Sequence, residues 1–496
     1  MYTCDKQELE QRILCESVRE KVMSPEDAAA LIQSGMTIAV SGFGTGYPRL
    51  TATALEESRH ATDLNVISAA IRGDRLISAW ARAGIMKKFI AFQWSEDARN
   101  TINSGGFEFI DCHLGQLNGK VKNGQFGHID YAILEIVKIN EDGSFVPGIA
   151  GGICDTMTEL ADKVILEINV GLPLCLEGVH DLHIPDGELF SNMAEKHGLP
   201  YCKCSPDKIA AVVFCNERDK DLIYPTVKPE HTQMAQYVVD LLRKEIAAGS
   251  IPENFNFQCG TGVVINCVLI ELMKAGFKNL NMYTEVLGEQ ALMAMLDGTI
   301  LDASTTAMDM TDSGFQCMFD NMDYVRKHLA LRNLAFTNGP AQIMSYGLVA
   351  MNGALEVDIY GNVNSSHAFG SHIVNGIGGA NDFCRNAKIA VFSTMSVSKK
   401  GAISRVVPMV SHVDNTEHDV DVIVTEWGYA DLRGKSPKER VPLIINNCAH
   451  PDYRQQLWDY YNSALEKCGP CQTPHDLTQA LSWHQRYLET GTMKAE

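Results

Sequence analysis

A glutamate just past a short apolar strand is the residue of this 496-residue chain whose setting best suits chemistry. In Tyr283-Thr284-Glu285-Val286 the strand Asn279 to Tyr283 ends and the carboxylate follows at once. The carboxyl ends of parallel strands are where α/β folds gather ligands. A glutamate there could serve as nucleophile, base or metal ligand, or could only complement the dipole of a following helix. Upstream, Gln258-Cys259-Gly260-Thr261-Gly262-Val263-Val264-Ile265-Asn266 sets glycines ahead of an apolar helical run. Backbone N–H groups at a helix start can hold an anion or a developing oxyanion, although many glycine-rich turns only join elements.

A second glycine cluster, Asn375-Gly376-Ile377-Gly378-Gly379-Ala380-Asn381-Asp382-Phe383, suits a loop that approaches a ligand closely. Arg385, Lys388, Lys399 and Lys400 follow it. The lysines could meet phosphates, or Lys399-Lys400-Gly401 could be a solvated turn. Val424-Thr425-Glu426-Trp427-Gly428 again puts a carboxylate past a strand. The nearby His412, Asp414, Glu417, His418 and Asp419 lack zinc-motif spacing, so a hydrogen-bonded loop is expected there and no metal site. Ser41-Gly42-Phe43-Gly44-Thr45-Gly46-Tyr47-Pro48 fails the dinucleotide fingerprint, because Tyr47 follows Gly46 and Pro48 breaks the helix entry.

The elements that must position these groups alternate between β-branched runs and amphipathic helices. Strands are expected at Met36 to Ser41, Asp63 to Ser68, Tyr131 to Ile136, Lys163 to Ile168, Lys208 to Phe214, Asn279 to Tyr283, Lys388 to Phe392 and Val420 to Thr425. A helix from Ser24 to Ser34 opens with the capping box Ser24-Pro25-Glu26-Asp27. This alternation predicts open, mostly parallel α/β sheets. The polar stretch Asn216 to His231, before a helix from Thr232 to Ala248, suggests a boundary near 225 and hence domains 1–225 and 226–496. The tail from Pro451 to Tyr487 reads as mostly helical.

The charge of -19 makes nucleic acid or an anionic membrane a poor partner. Met1 to Arg12 is polar and mixed in charge, so no secretory leader is expected. Gly262 to Met273 is the longest apolar stretch, broken by Asn266, Cys267 and Glu271 and short of the ~20 residues that span a bilayer. Fifteen scattered cysteines in a long chain read as reduced thiols in a cytoplasmic protein. Cys468-Gly469-Pro470-Cys471 follows a helix where a redox motif would precede one, so a turn is expected there.

Taken jointly, these segments resemble the acetyl-CoA hydrolase/transferase family, and within it the succinyl-CoA:acetate and propionyl-CoA:succinate CoA-transferases. The resemblance spans nearly the whole chain. It runs through Ser41-Gly42-Phe43 with Gly46 and Pro48, Gln258 to Asn266, Tyr283 to Val286, Ala354 to Asn364 and Asn375 to Gly379. Val407 to His412, Glu417 to Val420, Thr425-Glu426, Ala430 to Gly434 and His450 to Tyr453 extend it.

The resemblance implies two CoA-transferase-type domains, the second carrying the nucleophile Glu285. It implies an oxyanion hole from the amides of Val263 and Gly379, with Asn338 and Glu426 orienting groups around Glu285 and Arg218 nearer the acyl-acid side. CoA contacts would come from Gly260, Thr261, Gly262, Val263, Val264, Leu355, Asn375, Gly379 and Lys399. It implies no permanently bound cofactor, acyl-CoA and carboxylate substrates, and a homodimer. This chain departs from the family pattern at Thr337-Asn338-Gly339-Pro340-Ala341-Gln342, Ser345-Tyr346, Ala380-Asn381, Trp427 and Gly148-Ile149-Ala150-Gly151-Gly152, which suggests a carboxylate partner other than the usual succinate/acetate pair. An acyl-CoA hydrolase on the same scaffold and a non-catalytic CoA-binding protein are the competing readings.

Overall fold

Buried strands with small and β-branched residues on both faces require helices on both sides. The computed structural model, which describes residues 6–72, 74–185, 187–218, 226–260 and 262–495, has that α/β architecture. Thr261, and residue 225 at the expected boundary, lie outside the described residues. The chain groups into two compact units, Met1–Ile223 with Asn281–Ser345, and Tyr224–Leu280 with Tyr346–Glu496. The domain division at 225 stays a proposal; by compactness, Glu285 falls in the first unit.

In the first unit the strand order is Glu108–Ile110, Met86–Gln93, Leu64–Ile71, Thr37–Gly44, Tyr131–Ile139, Lys163–Asn169, Ile209–Cys215, with Phe145–Pro147 antiparallel to Tyr131–Ile139. The pairings along that order are parallel. Side chains alternate between two cores. Ile38, Val66, Ile133, Ile165 and Val213 fill one; Ala39, Ile67, Leu134, Leu166 and Val212 fill the other. The second core also takes Val286, Ala307 and Leu334, so the segment after residue 280 is anchored by apolar burial. There Val286–Gly288 pairs in parallel with Ala307–Asp309, and Ile300–Thr305, Leu329–Arg332 and His180–Asp181 form a parallel set.

In the second unit Asn256–Cys259, Val349–Gly353, Ile389–Ser393 and Val422–Thr425 run parallel, with Gly428–Asp431 antiparallel at the edge. All eight expected strands are present within two residues of their expected starts. The helix expected over Ser24 to Ser34 spans Pro25–Ala29, and Ser24 Oγ accepts from Asp27 N at 3.0 Å. Beyond Ala29 the backbone tightens into i to i−3 turns, Leu31 N to Ala28 O and Ile32 N to Ala29 O, which bring Ile32 into the core ahead of the first strand. Among the described residues no helix is long and apolar enough to cross a membrane.

The tail forms the helices Pro451–Cys468 and Ser482–Thr490. Its last helix is fastened by His484, whose Nε2 donates to Glu356 Oε2 at 2.8 Å. Glu356 Oε1 also accepts from Ser411 N, Ser411 Oγ and Asn364 Nδ2. Burial alone would push this carboxyl up, but His484 and these donors outweigh it and hold it below its ordinary value. A depressed carboxyl adds stability above the unfolded pKa, and that stability is lost as pH falls through the folded one. The denaturant midpoint of the wild type is therefore expected to fall below about pH 4.5. Glu356→Gln should flatten that dependence, measured by denaturant titration between pH 3.5 and 6.

Candidate active site

Glu285 occupies the bend between the strands Leu280–Tyr283 and Val286–Gly288, half-buried, with Val286 in the core beside it. Three donors converge on its backbone carbonyl: Thr306 N at 3.0 Å, Ala307 N at 3.0 Å and Thr305 Oγ1 at 2.9 Å. The main chain at the glutamate is thus held by the strand ends next to it, which limits the wander of its side chain.

The carboxylate meets Asn338, whose Nδ2 donates to Glu285 Oε1 at 2.6 Å. Asn338 is fully buried at the end of the one-turn helix Leu334–Thr337, with its N–H on Leu334 O at 2.8 Å. Asn333 caps the start of that helix by accepting from Phe336 N at 3.0 Å. Tyr283, two residues before Glu285, donates its hydroxyl to Phe336 O at 2.6 Å. Strand and helix are therefore tied at both ends of the Glu285–Asn338 pair. An amide donor of this kind orients a carboxylate without being able to protonate it.

Beneath the helix lies Arg332, fully buried and enclosed by Phe190 and Phe336, whose ring centroids are 4.7 and 4.9 Å from its guanidinium carbon. Its Nε donates to Asp181 Oδ2 at 2.9 Å, and its Nη1 donates to Ser304 Oγ at 2.6 Å and Met193 O at 2.8 Å. The divergent loop Gly148 to Gly152 packs on the same strand ends: Gly151 N donates to Thr306 O at 2.7 Å and Gly152 O accepts from Leu334 N at 2.8 Å. A Cβ on Gly151 would stand 2.3 Å from Arg332 O. Gly151→Ala is accordingly expected to cost about 3 kcal/mol, read as a lower denaturant midpoint. Arg218, in this unit too, donates from Nε to Gly171 O at 2.8 Å and lies 5.4 Å over the Phe319 ring.

The other expected site residues belong to the second unit. Gly260 N donates to Met351 O at 2.8 Å, and Gly262 caps the helix Val263–Lys274 at φ 142°, a backbone setting that glycine alone takes without strain. Val263 and Val264 form its first turn. Leu355 N donates to Asn364 O at 2.8 Å, and Asn375 N to Ser366 O at 3.2 Å. Asn364 Oδ1 in turn accepts from Ser366 N at 3.1 Å, which links the two segments. Gly379 caps the helix Ala380–Asn386. Lys399 and Lys400 are exposed, with φ 48° and 56°, a left-handed pair that non-glycine residues adopt at a cost. Asp414 accepts from Ser365 N at 2.6 Å and Ser366 Oγ at 2.8 Å.

Glu426 follows the strand Val422–Thr425 and accepts from Ser396 N at 2.8 Å and Ser396 Oγ at 2.5 Å. Trp427 Nε1 donates to the same Oγ at 3.1 Å, and the Trp427 ring meets His450 edge-on at 5.4 Å. Ser396 and Arg332 were not singled out from the sequence, where no local motif marks them; Tyr283 was quoted only as the end of the strand before Glu285, with no role given to its hydroxyl. Ser396→Ala removes the hydroxyl bond to Glu426 Oε1 and leaves the backbone one to Oε2; if Glu426 orients the reacting groups, as the resemblance implies, kcat should fall by about tenfold, the loss of one hydrogen bond to a charged group. The same variant should shift Trp427 emission, because the indole loses its acceptor.

Sequence profiles match the acetyl-CoA hydrolase/transferase N-terminal domain to residues 1–214 and the C-terminal domain to residues 314–461. The succinyl-CoA:acetate CoA-transferase of Clostridium kluyveri is 39% identical over 497 residues, covering 98% of this chain and 92% of that protein. The acetyl-CoA hydrolase of Kluyveromyces lactis is 35% identical over 524 residues, covering 98% of this chain and 99% of that protein. In fold the chain is similar to a 4-hydroxybutyrate CoA-transferase from Porphyromonas gingivalis, with a TM-score of 0.62 at 19% identity, over 92% of this chain and 100% of that one.

Proposed function

This chain belongs to the acetyl-CoA hydrolase/transferase family, and we propose on that premise that it moves CoA between a short-chain acyl-CoA and a carboxylate through a thioester on Glu285. The observation that carries this reading is the Glu285–Asn338 pair: a half-buried carboxylate past a strand, oriented at 2.6 Å by an amide that is not an acid.

The chemistry runs in two balanced halves. A carboxylate oxygen of Glu285 attacks the thioester carbon, the C–S bond breaks and CoA leaves as thiolate, giving a mixed anhydride. The thiolate then attacks the glutamyl carbonyl carbon, the C–O bond breaks, the first acid leaves as carboxylate and glutamyl-CoA remains. An acceptor carboxylate runs both steps backwards and leaves with CoA. Each tetrahedral intermediate carries an oxyanion, and the amides of Val263 and Gly379 take it in this reading. Removing one such donor typically costs about 10²–10³ in rate. Asn338 and Glu426 orient groups around Glu285, Arg218 lies nearer the acyl-acid side, and the CoA contacts fall to Gly260 to Val264, Leu355, Asn375, Gly379 and Lys399. Thr261 lies outside the described residues. Overall one thioester is exchanged for another, which is close to balanced with the anhydride only a transient high-energy intermediate, so CoA enters as a substrate and no resident cofactor is invoked. A cytoplasmic homodimer acting on these small molecules completes the reading.

Hydrolysis is the second reading, supported by the acetyl-CoA hydrolases at 35% identity. There water resolves the covalent intermediate. Two measurements test the proposal. Intact mass after incubation with acetyl-CoA or succinyl-CoA should show a CoA-sized, borohydride-sensitive adduct on wild type. Thiol release without acceptor acid should be slow against CoA transfer with it. Thiol release as fast without acceptor as with it would establish the hydrolase reading, and absence of an adduct with every short acyl-CoA would overturn the Glu285 route.

A further inference from the structure

A cavity of about 560 Å³ lies wholly within the first unit, lined by Ala335 and Phe336 of the helix that ends at Asn338 and by Gly339 to Gln342, which lead from it into the helix Pro340–Tyr346. Neither Glu285 nor Asn338 lines it. Its wall is polar. Asn118, only 3% exposed, donates from Nδ2 to Thr156 Oγ1 at 2.8 Å while its Oδ1 meets no donor among the described residues. A buried amide oxygen left in this way is costly, and a ligand hydroxyl brought against it by a small side-chain turn would recover that cost.

The charged groups on this wall divide clearly. Asp155 is occupied, accepting from Thr156 N at 2.8 Å and from Asn333 Nδ2 at 2.6 Å, and Glu188 is occupied by His197 Nδ1. Glu159 remains as an exposed acid. Against it stand the exposed ammonium groups of Lys122 and Lys203, neither of them in a hydrogen bond or ion pair among the described residues. His183 lies with them. Its Nε2 accepts from Lys203 N at 3.1 Å, which leaves the proton of the neutral ring on Nδ1 as a donor. Burial holds this imidazole below its ordinary pKa. Its backbone sits at φ 53°, a left-handed setting that a histidine keeps only where its surroundings impose it.

We propose that this cavity is a second small-molecule site for a hydroxycarboxylate, gripped by Lys122 and Lys203, and coupled to Glu285 through the Asn333-to-Asn338 helix. Two ammonium groups and an imidazole N–H suit carboxylates, and the Asn118 oxygen suits a hydroxyl donor. Asn333 is the link: its Nδ2 bonds Asp155 in the cavity wall while its Oδ1 caps the helix whose far end presents Asn338 to Glu285. A ligand pressing on Phe336 and Gly339 biases that helix, and through it the carboxylate. The site itself is independent of the reaction proposed above; only the coupling rests on Glu285 being the reacting group.

The test uses the full chain and malate as probe, with calorimetric titration at fixed ionic strength. Malate should bind wild type and Glu285→Ala alike, and Lys122→Ala/Lys203→Ala should weaken it by about tenfold or more. Succinate, with the same charge and no hydroxyl, should bind this site more weakly. Thermal melting of the double variant checks that it is folded. No binding at millimolar malate, or equal binding by the double variant, would overturn the site. Inorganic phosphate binding as well as malate would overturn the carboxylate assignment. For the coupling, malate should change kcat of wild type and leave kcat of the double variant unchanged; an equal response in both would overturn it.

Discussion

On the proposed route, Glu285→Gln is expected to lower kcat/KM by about 10⁴-fold or more, because the amide keeps the shape of the side chain and loses the carboxylate that this route uses as nucleophile. The fold should tolerate the change. Val286 stays in the core, and the three donors on the Glu285 carbonyl bind main chain and are indifferent to the side chain. A loss of this size with an unchanged melting curve separates chemistry from stability. Asn338 offers a graded companion. Asn338→Ala removes the 2.6 Å donor and should cost about 10²-fold, by the reasoning that a loosened near-attack geometry is expensive. Asn338→Asp would place a second carboxylate against the first, and like charges at that distance raise the pKa of one of them. Its rate should therefore recover as the shared proton is lost, moving the acid limb of the pH–rate profile upward. A merely structural Asn338 would leave that limb where it is.

Arg332→Ala is expected to destabilise the first unit by about 3–5 kcal/mol, since it leaves Asp181 charged and buried without its partner. Both side chains are fully buried, so solvent cannot compensate. Asp181 Oδ1 would keep His197 N at 3.1 Å and Gly198 N at 2.6 Å, which softens the loss without removing it. The drop should appear in the denaturant midpoint of the transition that reports the first unit. Adding Asp181→Asn to the variant should return part of it, because the stranded charge is gone. Activity should fall further than stability alone dictates. Phe336 rests on the Arg332 guanidinium and accepts from Tyr283, so the loss reaches the helix that presents Asn338.

The strands of the first sheet were legible because their side chains alternate between two apolar cores, as Ile38 and Ala39 or Ile165 and Leu166 do. Asn256–Cys259 and Val349–Gly353 escaped the same reading. They are short, and their buried polar residues Gln258 and Asn352 bond each other, Asn352 Nδ2 to Gln258 Oε1 at 3.0 Å, so no apolar period marks them. Glu285 could be picked out because its signal is local: a carboxylate just past the short strand Asn279 to Tyr283, in which Leu280, Met282 and Tyr283 are the apolar residues. Asn338 came only through resemblance, in a stretch that departs from the family pattern, and the 2.6 Å bond now gives it a physical reason. Ser396 and Arg332 had no local signature. Their partners Glu426 and Asp181 are 30 and 151 residues away, and such pairings exist only once the chain has folded.

The course of the backbone through the two units has a consequence for birth on the ribosome. Met1–Ile223 emerges first but lacks Asn281–Ser345, which supplies Val286, Ala307 and Leu334 to its core. Synthesis at roughly 5–20 residues per second therefore leaves the amino-terminal portion exposed for several seconds before its missing stretch arrives. Tyr224–Leu280 leaves the exit tunnel during that wait and must itself stand idle until Tyr346 onward is made. Nascent chains arrested near residue 230 should thus be protease-sensitive and prone to chaperone capture, and those extended past residue 345 by a tunnel length should become resistant.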